Sequence, residues 1–276
     1  MKEPLISINL PTYNSIKTFE VVLKSIAEQT YKNYEIIVGD YCSSDGTPEL
    51  ALKYGCKVFN DPKKLLNTRY LQLKESKGEL IVFICSDTVL DKTLLERIVK
   101  AYNEEDQDMW VLEEGVYGKK EDLTWVEKLT AEDKANTHKT MNFDPYTGVM
   151  LPRVFKKDLL TKAFTNIDPT FFDYVTVQDH AIIYLNCWLL SKKVGYITNA
   201  LKHMEPKTLK EIFKHYKRWG KTAKESLVVL PDQYNMLFES RTKNRVVLKN
   251  FLSWRFIRTL PIILTRGLGY YYGKLF

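Results

Sequence analysis

Three apolar runs in the first ninety residues each end on polar or acidic residues. The run 5–10 leads into Pro11-Thr12-Tyr13-Asn14, the run 34–40 ends at Asp40 before Ser43-Ser44-Asp45-Gly46-Thr47, and the run 80–85 stops at Ser86-Asp87. A fourth strand-like run, 56–60, and helical patterns near 18–29, 48–54, 64–75 and 91–103 alternate with them. That alternation predicts βαβ units and an α/β fold with a mostly parallel sheet flanked by helices. In an open sheet of this kind ligands bind outside the carboxyl ends of the strands, so the three polar strand ends are expected to share one site.

With 276 residues, 45% hydrophobic and 27% charged, the chain can bury a large α/β domain and carry an appendage. Met1-Lys2-Glu3-Pro4 leads straight into the first strand, with Lys17 and Glu20 soon after, so no signal peptide is expected and the chain is expected on the cytosolic side. Cys42, Cys56, Cys85 and Cys187 are widely spaced and form no C-x-x-C pair, which argues for free thiols and against a zinc or disulfide framework. Of the 41 basic and 34 acidic residues, eight basic and no acidic ones fall in 241–276, leaving 33 and 34 for the rest. All the excess charge therefore sits in the tail, which suggests a polyanionic partner. No nucleic-acid-binding motif accompanies it, so an anionic membrane is expected and nucleic acid is not. There is also no G-x-G-x-x-G after the first strand and no P-loop.

Further along, a strand is expected at 108–112, followed by a polar, weakly periodic insertion at 113–144 with some helix, placed to cover substrate. A strand at 147–151, helices at 156–163 and 179–190, and a short strand at 195–198 follow. The expected division is a catalytic domain at 1–205, with a nucleotide-binding half at 1–100 and an acceptor half at 101–205, and a basic amphipathic helical extension at 206–276.

The order of these segments resembles the inverting glycosyltransferases of family 2, which have the GT-A fold. The resemblance is close through Asp87 and looser to about Trp219. It implies that Pro11, Thr12, Tyr13 and Asn14 border a nucleotide's base and ribose, that Asp40 accepts from the uracil N3–H, and that Ser44 and Asp45 belong to the same cradle. Asp40 and Asp45 are equally the residue types that strand ends and turns favour. Arg69 falls where family members carry an arginine near the diphosphate, and a guanidinium suits phosphate oxygens; a solvated helix arginine is the alternative. Cys85-Ser86-Asp87 stands where the family has Asp-x-Asp, so Asp87 is the implied ligand of a divalent cation, Mn²⁺ or Mg²⁺, with Ser86 beside it. The first carboxylate of that motif is missing, though one carboxylate and two phosphate oxygens can hold such an ion. Gln178-Asp179-His180 matches the family's Glu-Asp motif, which makes Asp179 the implied general base and leaves Asp173 in reserve. His203, after the last strand, is the implied second metal ligand. Arg218, in His215-Tyr216-Lys217-Arg218-Trp219, is a further implied contact for the donor diphosphate or an acceptor phosphate.

In the tail, Val247, Phe251, Trp254 and Ile257 recur at helical spacing with Arg245, Lys249, Arg255 and Arg258 around them. Apolar and aromatic residues continue past Pro261, interrupted by Arg266, Gly267, Gly269 and Gly273. No uncharged stretch is long enough to span a bilayer, so the segment is expected to lie in a membrane interface or to dock on the catalytic domain. The combined reading is an inverting transferase moving a sugar from a nucleotide-diphosphate donor, uridine-linked, to a lipid-linked or glycan acceptor, peripheral on the cytoplasmic side of a membrane. A catalytically inactive, membrane-associated assembly partner is the alternative.

Overall fold

The computed structural model of the protein describes residues 2–244 and 254–276. Their order is β1 (Ile6–Thr12), α1 (Ile16–Ala27), β2 (Tyr34–Asp40), α2 (Thr47–Lys53), β3 (Lys57–Asn60), α3 (Leu65–Glu75), β4 (Leu80–Phe83), β5 (Thr88–Leu90), α4 (Leu94–Glu104), β6 (Met109–Val116), α5 (Trp125–His138), β7 (Val154–Lys156) and α6 (Lys157–Thr165). A 3-10 turn at Pro169–Asp173 precedes α7 (Asp179–Leu190), β8 (Val194–His203), α8 (Leu209–Leu227), α9 (Asp232–Asn244) and α10 (Trp254–Leu275). The strands form one sheet in the order β3-β2-β1-β4-β7-β6-β8-β5. Its first four strands are parallel, as the βαβ pattern requires, and β7 joins them antiparallel to both β4 and β6.

Side chains of successive strand residues point to opposite faces, and a strand buried on both must be apolar throughout. In β4, Leu80 and Val82 enter a core with α1 and α4, while Ile81 and Phe83 enter a second core with α6 and α7. β1 departs from this rule on one face. Ile6, Ile8 and Leu10 are apolar, but the alternating Ser7 and Asn9 are buried polar residues. Ser7 Oγ donates to Glu35 and accepts from Gly78 N–H, and Asn9 Oδ1 accepts from Ser76 Oγ, while Asn9 Nδ2 is buried without a hydrogen-bond partner.

Three expectations from the sequence need correction. The stretch 147–151 is not a strand, because Asp144 Oδ1 accepts from the Tyr146 and Thr147 N–H groups (2.8 and 2.9 Å) and ties the chain into a turn, so that β7 starts only at Val154. The region 113–144 is more ordered than an insertion. β6 extends to Val116, and α5 opens with a reciprocal capping box in which Glu127 N–H donates to Thr124 Oγ1 and Thr124 N–H to Glu127. The last strand is also longer than expected: β8 runs to His203, bending at Asn199, whose φ is 47°.

The glycines of the tail do not interrupt it. α10 is one helix with Pro261 inside it, lying parallel to α8, and a Cβ at Gly273 would fall 1.9 Å from Lys217 O, one at Gly269 2.7 Å from Phe213 O, and one at Gly220 2.0 Å from Tyr270 O. Glycine is what lets the two backbones meet. Ile262 of α10 packs with Val126 of α5 and Ile212 of α8, and Arg258 and Arg266 pair with Glu132 and Asp133 of α5 (3.2 and 2.5 Å). Leu230, Tyr234 and Leu237 around α9 enter the second core. Val247 and Phe251 of the expected apolar face lie outside the described residues.

Gly267 has no heavy atom within 4 Å of where a Cβ would sit. Gly267→Ala should therefore raise stability by about 0.5–1 kcal/mol through lower backbone entropy. Gly273→Ala should instead cost about 1–3 kcal/mol by forcing α10 off α8. Urea denaturation of the two variants side by side checks this, and equal midpoints would mean that the helices are not in backbone contact.

Candidate functional site

The ends of β1 and β2 form a hydrogen-bonded cradle. Asp40, fully buried, accepts from Thr12 Oγ1 (2.6 Å), Ser43 N–H (2.6 Å) and Ser43 Oγ (2.7 Å). Asn14 N–H donates to Ser43 Oγ (2.8 Å), and Asn14 Oδ1 accepts from Ser44 N–H (3.1 Å). Both turns are held in left-handed conformations, Asn14 at φ 46° and Cys42 at φ 50°. Cys42 is the unusual one, since only the short polar residues and glycine adopt this region readily. Asp45 accepts from Ile16 N–H at the start of α1 and from Thr47 N–H at the start of α2 (both 3.1 Å), with Gly46 at φ 91° supplying the turn. Burial pushes the Asp45 carboxyl up, but these hydrogen bonds outweigh it and hold its pKa below the usual value. Asp45 thus holds the cradle's framework. Pro11, opposite Gly39 in the β1–β2 register, leads to Tyr13, which is 58% exposed at the rim and meets Tyr41 edge-on at 5.3 Å.

The cradle connects to the end of β4 through Ser86, whose Oγ lies 2.8 Å from Ser15 Oγ and whose carbonyl accepts from Thr18 Oγ1. Behind it, Arg69 is not a solvated helix residue. It is 2% exposed, its Nε faces Asp179 Oδ2 at 3.4 Å, its Nη1 reaches Asn9 O, and its guanidinium lies 4.3 Å over the Phe83 ring. Asp179 is the first residue of α7 and 4% exposed. Burial raises its pKa despite Arg69 and the His180 N–H. A carboxyl so placed is a stronger base than one in water. Asp173 stands elsewhere, exposed and paired with Lys63 (3.0 Å) at the rim of a cavity of about 520 Å³ that Tyr70 and Phe164 also line.

Asp87 and His203 are brought together by the antiparallel β5–β8 pairing, which sets Thr88 opposite His203. His203 Nε2 lies 3.2 Å from Asp87 Oδ1, and His203 Nδ1 lies 3.3 Å from Glu205 Oε1. The ladder continues through Lys134, 2.8 Å from Glu205 and 3.1 Å from Glu114, to Arg153, 2.5 Å from Glu114. Burial opposes a charged imidazole, but Asp87 and Glu205 outweigh it and push the His203 pKa up to about 10. Burial likewise opposes the Asp87 carboxylate, and His203 and Arg153 hold its pKa below the usual value. Cys85 faces Arg153, with Nη1 to Sγ 3.7 Å. Burial lowers the His215 pKa, Arg218, exposed on α8, adds to that, and Asp87 and Glu205 oppose it.

The sequence-derived residues are therefore gathered into three linked groups: the Thr12–Asp40–Ser43 cradle, the Arg69–Asp179 pair and the Asp87–His203 pair. Five residues were not foreseen, among them Glu114, which pairs with both Lys134 and Arg153. Arg153 bears electrostatically on both Asp87 and Asp179; Glu205 and Lys134 complete the ladder; and Tyr41 doubles the aromatic rim. Tyr41, one residue past Asp40, could have been read from its position, whereas the others follow only from long-range pairing.

The model of the family described as Glycosyl transferase family 2 matches residues 7–160. A poly(ribitol-phosphate) beta-N-acetylglucosaminyltransferase, TarS, of Staphylococcus aureus is 30% identical over 123 residues, covering 41% of this chain and 22% of that protein. An Escherichia coli UDP-Glc:alpha-D-GlcNAc-diphosphoundecaprenol beta-1,3-glucosyltransferase, WfgD, is 34% identical over 106 residues, covering 35% of this chain and 40% of that protein. The chain thus matches well under half the length of these curated relatives. Among solved structures, TarS 1–349 in complex with UDP superposes with a TM-score of 0.55 at 17% identity, covering 98% of this chain and 90% of that one. A mannosyltransferase from Pyrobaculum calidifontis, in complex with GDP-Man and Mn²⁺, gives 0.56 at 16% identity, covering 97% and 76%. The architecture is the GT-A fold, as expected from the sequence.

His180, next to Asp179, donates from Nε2 to Pro152 O (2.5 Å) between the Phe83 and Phe155 rings. Burial, with Arg153 and Arg69 adding to it, holds its pKa well below 6.5. Between its unfolded and folded pKa values the unfolded chain binds the proton that the native state refuses, so stability should fall as pH drops below about 6.5, by at most about 1.4 kcal/mol per unit. Urea unfolding from pH 7 to pH 5 should show a smaller loss for His180→Gln, and identical slopes would mean that His180 takes up its proton in the native state.

Proposed function

Because this chain belongs to glycosyl transferase family 2, we propose that it moves a sugar from a nucleotide-diphosphate donor, uridine-linked, to a lipid-linked acceptor with inversion at the anomeric carbon. The observation that carries this reading is the convergence of the Arg69–Asp179 pair and the Asp87–His203 pair on the cradle at the ends of β1, β2 and β4. Tyr13 and Tyr41 offer the nucleobase two exposed rings and Asn14 and Ser44 exposed polar groups, while Asp40, fully buried and held by Thr12 and Ser43, shapes the turns that carry them. The TarS structure bound to UDP supports a uridine donor, and WfgD, whose name states a diphosphoundecaprenol acceptor, supports a lipid-linked one.

The metal assignment has its own support in the donor set. Asp87 Oδ1 is buried without a well-directed hydrogen bond and lies beside His203 Nε2; with the proton that Asp87 and Glu205 favour on that imidazole released, the two would make an oxygen and nitrogen pair that suits a divalent ion. Among the described residues no group of three or more His, Cys, Asp or Glu side chains is disposed to hold a metal. The protein would supply Asp87 and His203, and phosphate oxygens of the donor the remainder. An ion held there, Mn²⁺ or Mg²⁺, would supply positive charge toward the diphosphate, and Arg69 and Arg218 are the protein's own cations for the same charge. Asp179 takes the proton of the acceptor hydroxyl, whose oxygen then attacks C1 opposite the leaving nucleotide, and one base suffices for inversion. The reading places the enzyme on the cytoplasmic side of a membrane, where lipid-linked acceptors present their head groups.

Calorimetry of UDP binding should give an affinity that depends on Mn²⁺, and Asp87→Ala should abolish the dependence. Equal affinity with and without Mn²⁺ in the unmodified protein would remove the metal role. Asp179→Asn should leave nucleotide-sugar affinity nearly unchanged and lower transfer by about 10²–10⁴. Retained turnover in that variant would move the base elsewhere, first to Asp173, while a wild-type protein that binds UDP but neither transfers nor hydrolyses any donor would favour the inactive assembly partner.

A further inference from the structure

α8 carries lysines at 210, 214, 217, 221 and 224, a repeat of four and three residues that places all five on one stripe, and all are exposed. α10 repeats the same spacing with Ile257, Pro261, Leu264, Leu268, Tyr271 and Leu275, all exposed as well; Leu268 is 67% and Leu275 71% exposed. An exposed apolar stripe six residues long is unusual for a helix that already buries its opposite side against α8 and α5. The two stripes border one another, because the glycine contacts hold the helices parallel: Lys217 Nζ lies 4.5 Å over the Tyr272 ring, and Lys224 Nζ donates to Leu275 O at 3.4 Å.

The charges on this surface are available. Arg258 and Arg266, tail cations that the sequence suggested for membrane contact, are paired with Glu132 and Asp133. Lys210, Lys214 and Lys221, by contrast, have no ion-pair partner among the described residues. We infer that the lysine stripe of α8 and the apolar stripe of α10 together form the face by which the protein lies on an anionic lipid bilayer. Cations meet lipid head groups, and the leucines, with tyrosines at their edge, enter the boundary of the acyl region. Among the described residues no helix is long and apolar enough to cross a membrane, and α10, at 22 residues, is about 33 Å of helix suited to lie along one.

This geometry also says where the catalytic groups stand. His215 lies beside Lys214 on α8 and shares the electrostatic environment of Asp87, His203 and Glu205. The helix that carries the cationic stripe therefore also carries a residue that feels the Asp87–His203 pair. The relevance to a lipid-linked acceptor rests on the proposed transferase reading; the membrane contact itself does not.

The test is co-sedimentation of the full chain with vesicles of phosphatidylcholine, with and without phosphatidylglycerol, alongside UDP affinity measured in solution. The unmodified protein should bind only the anionic vesicles at low salt, and part of that binding should survive added salt. K210Q/K214Q/K221Q should lower anionic-vesicle binding at least about tenfold at low salt, and L264S/L268S should remove the salt-resistant part, with UDP affinity unchanged in both. Wild-type protein that ignores anionic vesicles, or variants that bind them as well as wild type, would overturn the inference while leaving the transferase reading intact. A dimer that L264S/L268S dissociates, seen by light scattering without any vesicle binding, would assign the stripe to a second copy of this chain and overturn the inference equally. Loss of UDP binding by the wild type would instead fail the transferase reading.

Discussion

The interaction on which the rest of the structure depends is the ladder of alternating charges that runs from Asp87 through His203, Glu205, Lys134 and Glu114 to Arg153. It joins the segment after β4, the end of β8, helix α5, strand β6 and the segment before β7, five parts of the chain with no local reason to meet. Ion pairs of this kind contribute little net stability compared with an apolar core, but removing one partner strands its neighbour and costs about 3–5 kcal/mol. The ladder therefore acts more as a constraint on arrangement than as glue. With its members in place, Asp87 faces His203, Arg153 faces Cys85, and α5 presents Glu132 and Asp133 to the arginines of α10.

The same ladder gives a physical account of the residue that departs from the family pattern. Where a second carboxylate would stand, Cys85 lies against the Arg153 guanidinium, whose charge is already met by Glu114. The site thus keeps one carboxylate at the strand end with an imidazole beside it. Its two principal acids are driven apart by their surroundings: His203 and Arg153 favour the charged form of Asp87, while burial favours the neutral form of Asp179. Carboxyls separated in this way suit different roles, one as a ligand or charge stabiliser and the other as a base.

The C-terminal helices are part of this scheme. α10 reaches α8 backbone to backbone because Gly220, Gly269 and Gly273 leave no side chain between them. α8 in turn carries His215, which feels Asp87, and holds Ser226 Oγ against Tyr174 O, close to the 3-10 turn before α7. Moving α10 would therefore disturb the helix that borders the site.

Much of the nucleotide-binding half could be read from the sequence because its signals are local. The runs ending at Asp40 and Asp87 announce strands by their apolar content, and Pro11 to Asn14 and Ser43 to Thr47 announce turns by residue type, so the cradle follows once the strands are parallel neighbours. The capping box at Thr124 and Glu127 was equally local and marks a helix that the polar composition around it obscured. What the tertiary structure alone decided is which distant residues share a face. Asp87 meets His203 through a strand pairing across more than a hundred residues, and the Asn199 bend carries β8 far enough to make it. Arg69, on α3, becomes the partner of Asp179, at the start of α7, only because the fold packs the two helices together, with Nη1 held by the main-chain carbonyl of Asn9. The glycines of α10, which in sequence interrupt an apolar run, become its contact surface for the same reason: helical phase and backbone proximity are properties of the packed pair, and a single chain segment does not contain them.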